Sequence, residues 1–271
     1  ALEELRDVVR IVVPVFLQLG ISSVVKNSAL ALVGHYDPEP EQIAAAALGS
    51  MYGSITGLSI GMGLTMVVGA YCAQNFGSGA TQENGVVVRH CLVAHVLCFL
   101  FALTMAEFSP SLLCAFAQPE ELWEPAWQFA LISAFAWPGV WIFTCLSTVL
   151  SSQNWQAVGV AGQVLSSVIN FLLSWWLLSS GQGYLSIAVA NVVASWISVA
   201  YIVAHIIIRG KQADVWRVPL VVSVAGQVTL GQYLSVAFPT AASIWVEWWA
   251  LEVLALFAGW LPGRQTSLAA H

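Results

Sequence analysis

Apolar blocks long enough to cross a bilayer recur seven times along this 271-residue chain, separated mostly by short polar stretches. A backbone that enters hydrocarbon has no water to bond, so its N–H and C=O groups must pair within the protein, and blocks of about 20 apolar residues do this as helices. Composition agrees: 59% of residues are hydrophobic and only 8% charged, too apolar for an ordinary soluble domain. The chain therefore reads as all-α, a polytopic membrane helix bundle. The blocks fall near residues 8–33, 42–72, 85–106, 124–150, 157–178, 184–208 and 231–261. The first, Val8 to Val33, is interrupted only by Lys26 and a few small or amide side chains, and reads as a span with no cleavable signal peptide evident.

The net charge of −6 conceals an asymmetry. Arg6 and Arg10 precede the first span, Arg89 follows the second, and Arg209, Lys211 and Arg217 follow the sixth. Asp37, Glu39 and Glu41 follow the first span, and Glu107, Glu120, Glu121 and Glu124 surround the third connection. The positive-inside tendency puts the basic set and the N-terminus in the cytoplasm and the acidic loops outside. No basic patch with interleaved aromatics exists to bind nucleic acid.

Glycines at 53, 57 and 61 form a four-residue stripe on the second helix, where small residues let a neighbouring backbone approach closely in lipid. They follow no strand and fail GxGxxG, so they imply packing and no dinucleotide loop. Pro138 predicts a kink in the fourth helix, and Pro14 and Pro239 also fall at or inside spans. The five cysteines contain no CxxC pair and read as packed free thiols. Cys91, His95 and Cys98 share a helix face at i, i+4 and i+7, but no fourth ligand accompanies them, and no metal is expected.

The residues that point to function are Glu247 and Glu252, which carry the only charges between Val228 and Pro262. An ionised carboxylate in hydrocarbon is costly, so such residues line a polar cavity or proton path, or pair with a neighbouring helix. Five helical residues separate the two by about 7.5 Å along the axis and about 140° around it, so one narrow face cannot hold both. Neighbouring tryptophan faces attract a cation.

Placing each residue against the one 225 positions later aligns Pro14 with Pro239 and Gly34 with Gly259 without a gap. The seventh helix then reads as the first of a second copy, parallel to the first because six spans intervene. His271 pairs with Ala46, at the start of the second helix of the unit. The expected organisation is a six-helix lobe over residues 1–217 and the first helix of an incomplete second lobe over 218–271, part of a pseudo-symmetric twelve-helix chain.

The segments Pro14-Val15-Phe16-Leu17 through Gly34-His35, Ala45-Ala46-Ala47-Leu48-Gly49, Gln74-Asn75-Phe76-Gly77-Ser78-Gly79 and Pro239 through Glu252 resemble the multidrug and toxic compound extrusion (MATE) family. The last resembles the seventh helix of eukaryotic members, and the likeness covers essentially the whole chain. It implies a multi-pass antiporter, monomeric when complete, in the plasma, vacuolar or another organellar membrane. Such a protein exports small organic cations, drugs or amphiphilic metabolites by alternating access in exchange for H+ or Na+. It needs no cofactor. By position Glu247 and Glu252 match paired carboxylates that serve proton coupling and cation binding, which favours H+, and Trp248 matches an aromatic beside the substrate cavity. Ala29 falls where prokaryotic members often carry an aspartate. Asn170, with Gln163 seven residues earlier, occupies a second position that is acidic elsewhere in the family. These departures shift coupling toward the glutamates. Lys26 either lines the cavity as a mobile partner of a carboxylate or snorkels locally.

Other classes fit less well. A seven-span receptor usually needs an exterior N-terminus. An intramembrane enzyme lacks HExxH and any convincing Ser/His/Asp set. A lipid-linked-sugar flippase of the same superfamily calls for a more cationic cavity, and a partial chain without its second lobe has nothing to rock against.

Overall fold

The computed structural model describes residues 16, 20, 21, 24, 25, 28–37, 39–116, 118–210 and 228–258, with the side chains at 251, 252, 254–256 and 258 outside that description. Helix α1 covers residues 28–36, the end of the first apolar block, while Pro14 and Lys26 lie outside the described residues. The second block is one long span made of α2 (Pro40–Gly53), a π-helical segment (Ser54–Leu58) and α3 (Ser59–Gly77). Helix α4 (Asn84–Glu107) follows, then a short helix, α5 (Ser109–Ala115), which hydropathy does not single out from the third connection. The fourth block splits into α6 (Trp123–Ala134) and α7 (Trp137–Ser152); α8 (Gln156–Ser179), α9 (Leu185–Ile208) and α10 (Leu230–Ala258) complete the order. No strand occurs among the described residues. Five of the described helical stretches, Pro40–Gly77, Thr81–Glu107, Glu120–Ser152, Gln156–Ser179 and Leu185–Ile208, are long and apolar enough to cross a membrane.

The expected bend in the fourth block is present, just before Pro138. Proline has no N–H to donate four residues back, and its ring is tolerated only in a first turn, so the helix ends at Ala134 and restarts at Trp137. Inside the break, the carbonyl of Phe135 accepts the Trp196 indole N–H from α9 at 3.0 Å.

The second span is the axis of the bundle. On one side its glycines receive aromatic rings: a Cβ at Gly57 would overlap the Trp137 ring, one at Gly61 would overlap Trp141, and one at Gly49 would stand 2.6 Å from the Ala126 carbonyl. The predicted small-residue stripe is thus the seat of α7, and Gly49, one turn earlier, is where α6 approaches. Trp141 is fully buried there, stacked on His95 with ring centroids 5.4 Å apart. On another side α3 carries α10, and residues Leu64, Val68, Cys91, Cys145, Leu146, Ile202, Tyr233 and Ala237 form one continuous buried cluster. A second cluster joins Ala29 and Val33 of α1 to Ala46, Phe129, Leu178 and Ile187.

His95 explains the Cys/His spacing. Its Nε2 lies 3.1 Å from the Gly61 carbonyl and 3.0 Å from Thr65 Oγ1, and the Thr65 hydroxyl already donates to Gly61 O at 2.9 Å. With that hydroxyl proton committed, Nε2 carries the proton and donates. Cys91 Sγ sits 3.6 Å away. The group stitches α3 to α4, and among the described residues no set of three or more His, Cys, Asp or Glu side chains is arranged to hold a metal.

Candidate functional site

A cavity of about 270 Å³ opens inside the lobe between α1, the second span, and α6 to α9. Its wall holds Ser50 and Ser54 from the second span, Ser133 from α6, Gln163 and Asn170 from α8, and Asn191 from α9, with Trp137 as an aromatic side. Seven residues are about two helical turns, so Gln163 and Asn170 share one face of α8. Asn170 Nδ2 donates to Asn191 Oδ1 at 3.3 Å, and Asn170 Oδ1 accepts from Ser174 Oγ at 3.3 Å. The partners fix both amides, leaving hydroxyls and carboxamide edges facing the space. Ala29 lines the same wall and contributes only a methyl group. The two positions at which the family resemblance located departures, Ala29 and Asn170, therefore converge on one cavity, together with Gln163. Every described residue of its wall is uncharged. Such a surface binds by hydrogen bonds and dispersion and has no group that exchanges protons near neutral pH.

Tyr184, just before α9, ties that helix to α6. Its hydroxyl donates to the Pro125 carbonyl at 3.1 Å, and its ring stacks on Phe129 at 6.4 Å. Burial, then the nearby Glu124 and Asp37 carboxylates, pushes this phenol up to about 12.

The seventh helix supplies the carboxylates. Tyr233, Ala237, Ala241, Trp245 and Trp249 recur every fourth residue and turn toward α3, the first three of them fully buried. Glu247 lies between the two tryptophans and is exposed, and Trp248 is half-buried. Neither contributes to the wall of the 270 Å³ cavity. Glu252 belongs to the same helix, but its side chain, like Lys26, lies outside the described residues.

The sequence reading singled out Trp248 and passed over Trp245, Trp249 and Asn191. The four-residue recurrence from Tyr233 to Trp249 was the available signal for the tryptophans. Asn191 sits mid-span like many packed amides, and nothing in the sequence marks it as the partner of Asn170.

Residues 14–176 match the family described as MatE. The chain belongs to that family. Among curated relatives of this MatE protein, it is 25% identical over 226 residues to multidrug and toxin extrusion protein 2 of Oryctolagus cuniculus, covering 81% of this chain and 36% of the relative. It is 24% identical over 246 residues to Protein DETOXIFICATION 16 of Arabidopsis thaliana, covering 86% of this chain and 47% of the relative. The chain thus spans less than half the length of these relatives. The crystal structure of the eukaryotic MATE transporter AtDTX14 superposes with a TM-score of 0.79 at 23% identity, over 90% of this chain and 54% of that one. The fold is that of about half of a MATE transporter, and the protein is an integral multi-pass membrane protein.

Proposed function

We propose that this MatE protein works as a secondary antiporter that expels organic cations or amphiphilic solutes in exchange for protons. Family membership and the names of its relatives support extrusion. The observation that carries the coupling assignment is the placement of Glu247: an exposed carboxylate on an apolar helix docked against the lobe, while the described cavity wall has no ionisable group. Residues up to 217 form the first lobe and residues 218–271 begin the second, with the N-terminus cytoplasmic and H+ preferred to Na+. A glutamate that binds either a proton or a substrate cation makes the two compete, so each inward proton favours release of the exported cation. Glu252 and Trp248 complete the acidic and aromatic side of the path, and the amide-lined cavity holds the polar parts of the solute.

The test is efflux of a fluorescent organic cation from proteoliposomes of the full-length protein under an imposed pH gradient, with and without Glu247→Gln. Gradient-driven efflux abolished by the substitution is the expected result. Efflux that proceeds unchanged in Glu247→Gln removes this residue from the mechanism.

A further inference from the structure

The π-helical segment in the second span sets an unusual pattern of backbone acceptors. Widening the ladder from i→i−4 to i→i−5 leaves a carbonyl without its usual donor, and in hydrocarbon no water is present to replace it. Three indoles supply donors at and beside this segment. Trp141 of α7 donates to Leu58 O at 3.0 Å, Trp245 of α10 donates to Ser59 O at 3.0 Å, and Trp249 of α10 donates to Ile55 O at 3.0 Å. Tryptophan suits this role because its N–H is donor-only and the rest of the side chain is apolar.

The two bonds from α10 are in register. Ile55, Ser59 and Gly63 recur every fourth residue on the second span, and Trp249, Trp245 and Ala241 recur every fourth residue in the opposite direction on α10. At the third rung no donor is present and the backbones close directly, with a Cβ at Gly63 only 2.8 Å from Ala241 Cα. The indoles of Trp245 and Trp249 stack on each other with centroids 6.4 Å apart and planes 13° from parallel. Farther down the helix, Tyr233 donates to Leu64 O at 2.7 Å. Glu247 stands two residues from each latching tryptophan, about 200° around the helix from Trp245. A rotation of α10 that broke the two indole bonds would swing Glu247 by the same angle.

We propose that Trp245 and Trp249 are positioning residues: their N–H bonds to the bulged second span fix the rotation of the seventh helix and so aim Glu247. The functional half of this inference rests on Glu247 being the coupling carboxylate; the structural half does not.

The experiment replaces Trp245 and Trp249 together with benzothienylalanine, which keeps the shape of tryptophan and puts sulfur in place of N–H. The full-length protein carries spin labels at Met66→Cys on α3 and Val246→Cys on α10, both exposed positions. Expected are a broader distance distribution between the labels and a fall in the maximal rate of proton-driven efflux of about fivefold or more, the scale of one or two lost neutral hydrogen bonds, with substrate KM held within about twofold. Trp175→Phe, which removes an indole bond to Tyr36 OH on α1, changes neither the distances nor the maximal rate. A narrow, unshifted distribution in the isostere variant overturns the latch. A broadened distribution with an unchanged rate overturns the positioning of Glu247. Should Glu247→Gln itself leave proton-driven efflux intact, the coupling reading fails while the distance measurement still decides the latch. If the isostere protein does not fold, ultraviolet Raman spectra of the wild type in nanodiscs against each single Trp→Phe variant decide instead. A hydrogen-bonded indole component in both wild-type-minus-variant difference spectra supports the latch, and its absence from either one overturns it.

Discussion

The amide-lined cavity and the seventh helix solve opposite problems with similar means. In the cavity, Asn170 donates to Asn191 and accepts from Ser174, so polarity is kept inside the lobe without charge. On α10 the polar satisfaction is all on one side, where tryptophans donate to the second span, and the carboxylate is left on the other side without a described ion-pair partner. On the proposed function the difference is a division of labour: the cavity wall offers shape and hydrogen bonds without charge, and the carboxylate comes from the seventh helix.

The strongest way to break this division is to fill the axis on which both regions are mounted. Gly61→Leu forces a side chain into the Trp141 ring, which is pinned at its own N–H, and is expected to cost about 3 kcal/mol or more and to abolish monodisperse folded protein in detergent size-exclusion chromatography. Next in size, Glu247→Gln removes the carboxylate alone: gradient-driven efflux is expected to be lost while binding of an uncharged amphiphile to the detergent-solubilised protein is kept. Asn170→Asp sharpens the contrast by giving the cavity a charge of its own. Organic-cation affinity, read by equilibrium binding across a pH series, is expected to acquire a pH dependence that Glu247→Gln does not remove, whereas Asn170→Ala weakens binding at all pH values alike.

The smallest effect is expected at Tyr184. The Tyr184 phenol is raised in the folded protein from 10 to about 12, so the stability it contributes is complete below pH 10 and lost as pH rises toward 12. Tyr184→Phe forfeits the bond to Pro125 but removes that alkaline loss. Its thermal unfolding midpoint should drop slightly at pH 8 and fall less steeply than the wild type between pH 10 and 12.

Hydropathy made the spans legible because burial in lipid is a property of whole blocks; the described ends of the helices from Pro40 onward lie within a few residues of those expected. The bend at Pro138 was legible for an equally local reason, the missing N–H. The glycine stripe announced close packing, but the identity of the incoming rings, Trp137 and Trp141, depends on tertiary registration that spacing alone does not encode. The π-segment was not legible at all: Ser54-Ile55-Thr56-Gly57-Leu58 has no composition that demands i→i−5 bonding, and the donors beside it come from helices far along the chain. For the same reason Trp248 drew attention through resemblance while Trp245 and Trp249, whose value lies in where their N–H groups end, did not. The carboxylate at Glu247 was conspicuous in the sequence because lipid penalises charge, whereas the Asn170–Asn191 pair was hidden because neutral amides are unremarkable inside any bundle.

The bend between α6 and α7 carries a mechanical consequence. A helix interrupted by proline usually invites flexing at the gap, yet here the Phe135 carbonyl inside the gap is held by Trp196 from α9. A joint braced from outside transmits torque instead of absorbing it. On the proposed alternating access, the fourth span is expected to move as a crank of unchanged angle.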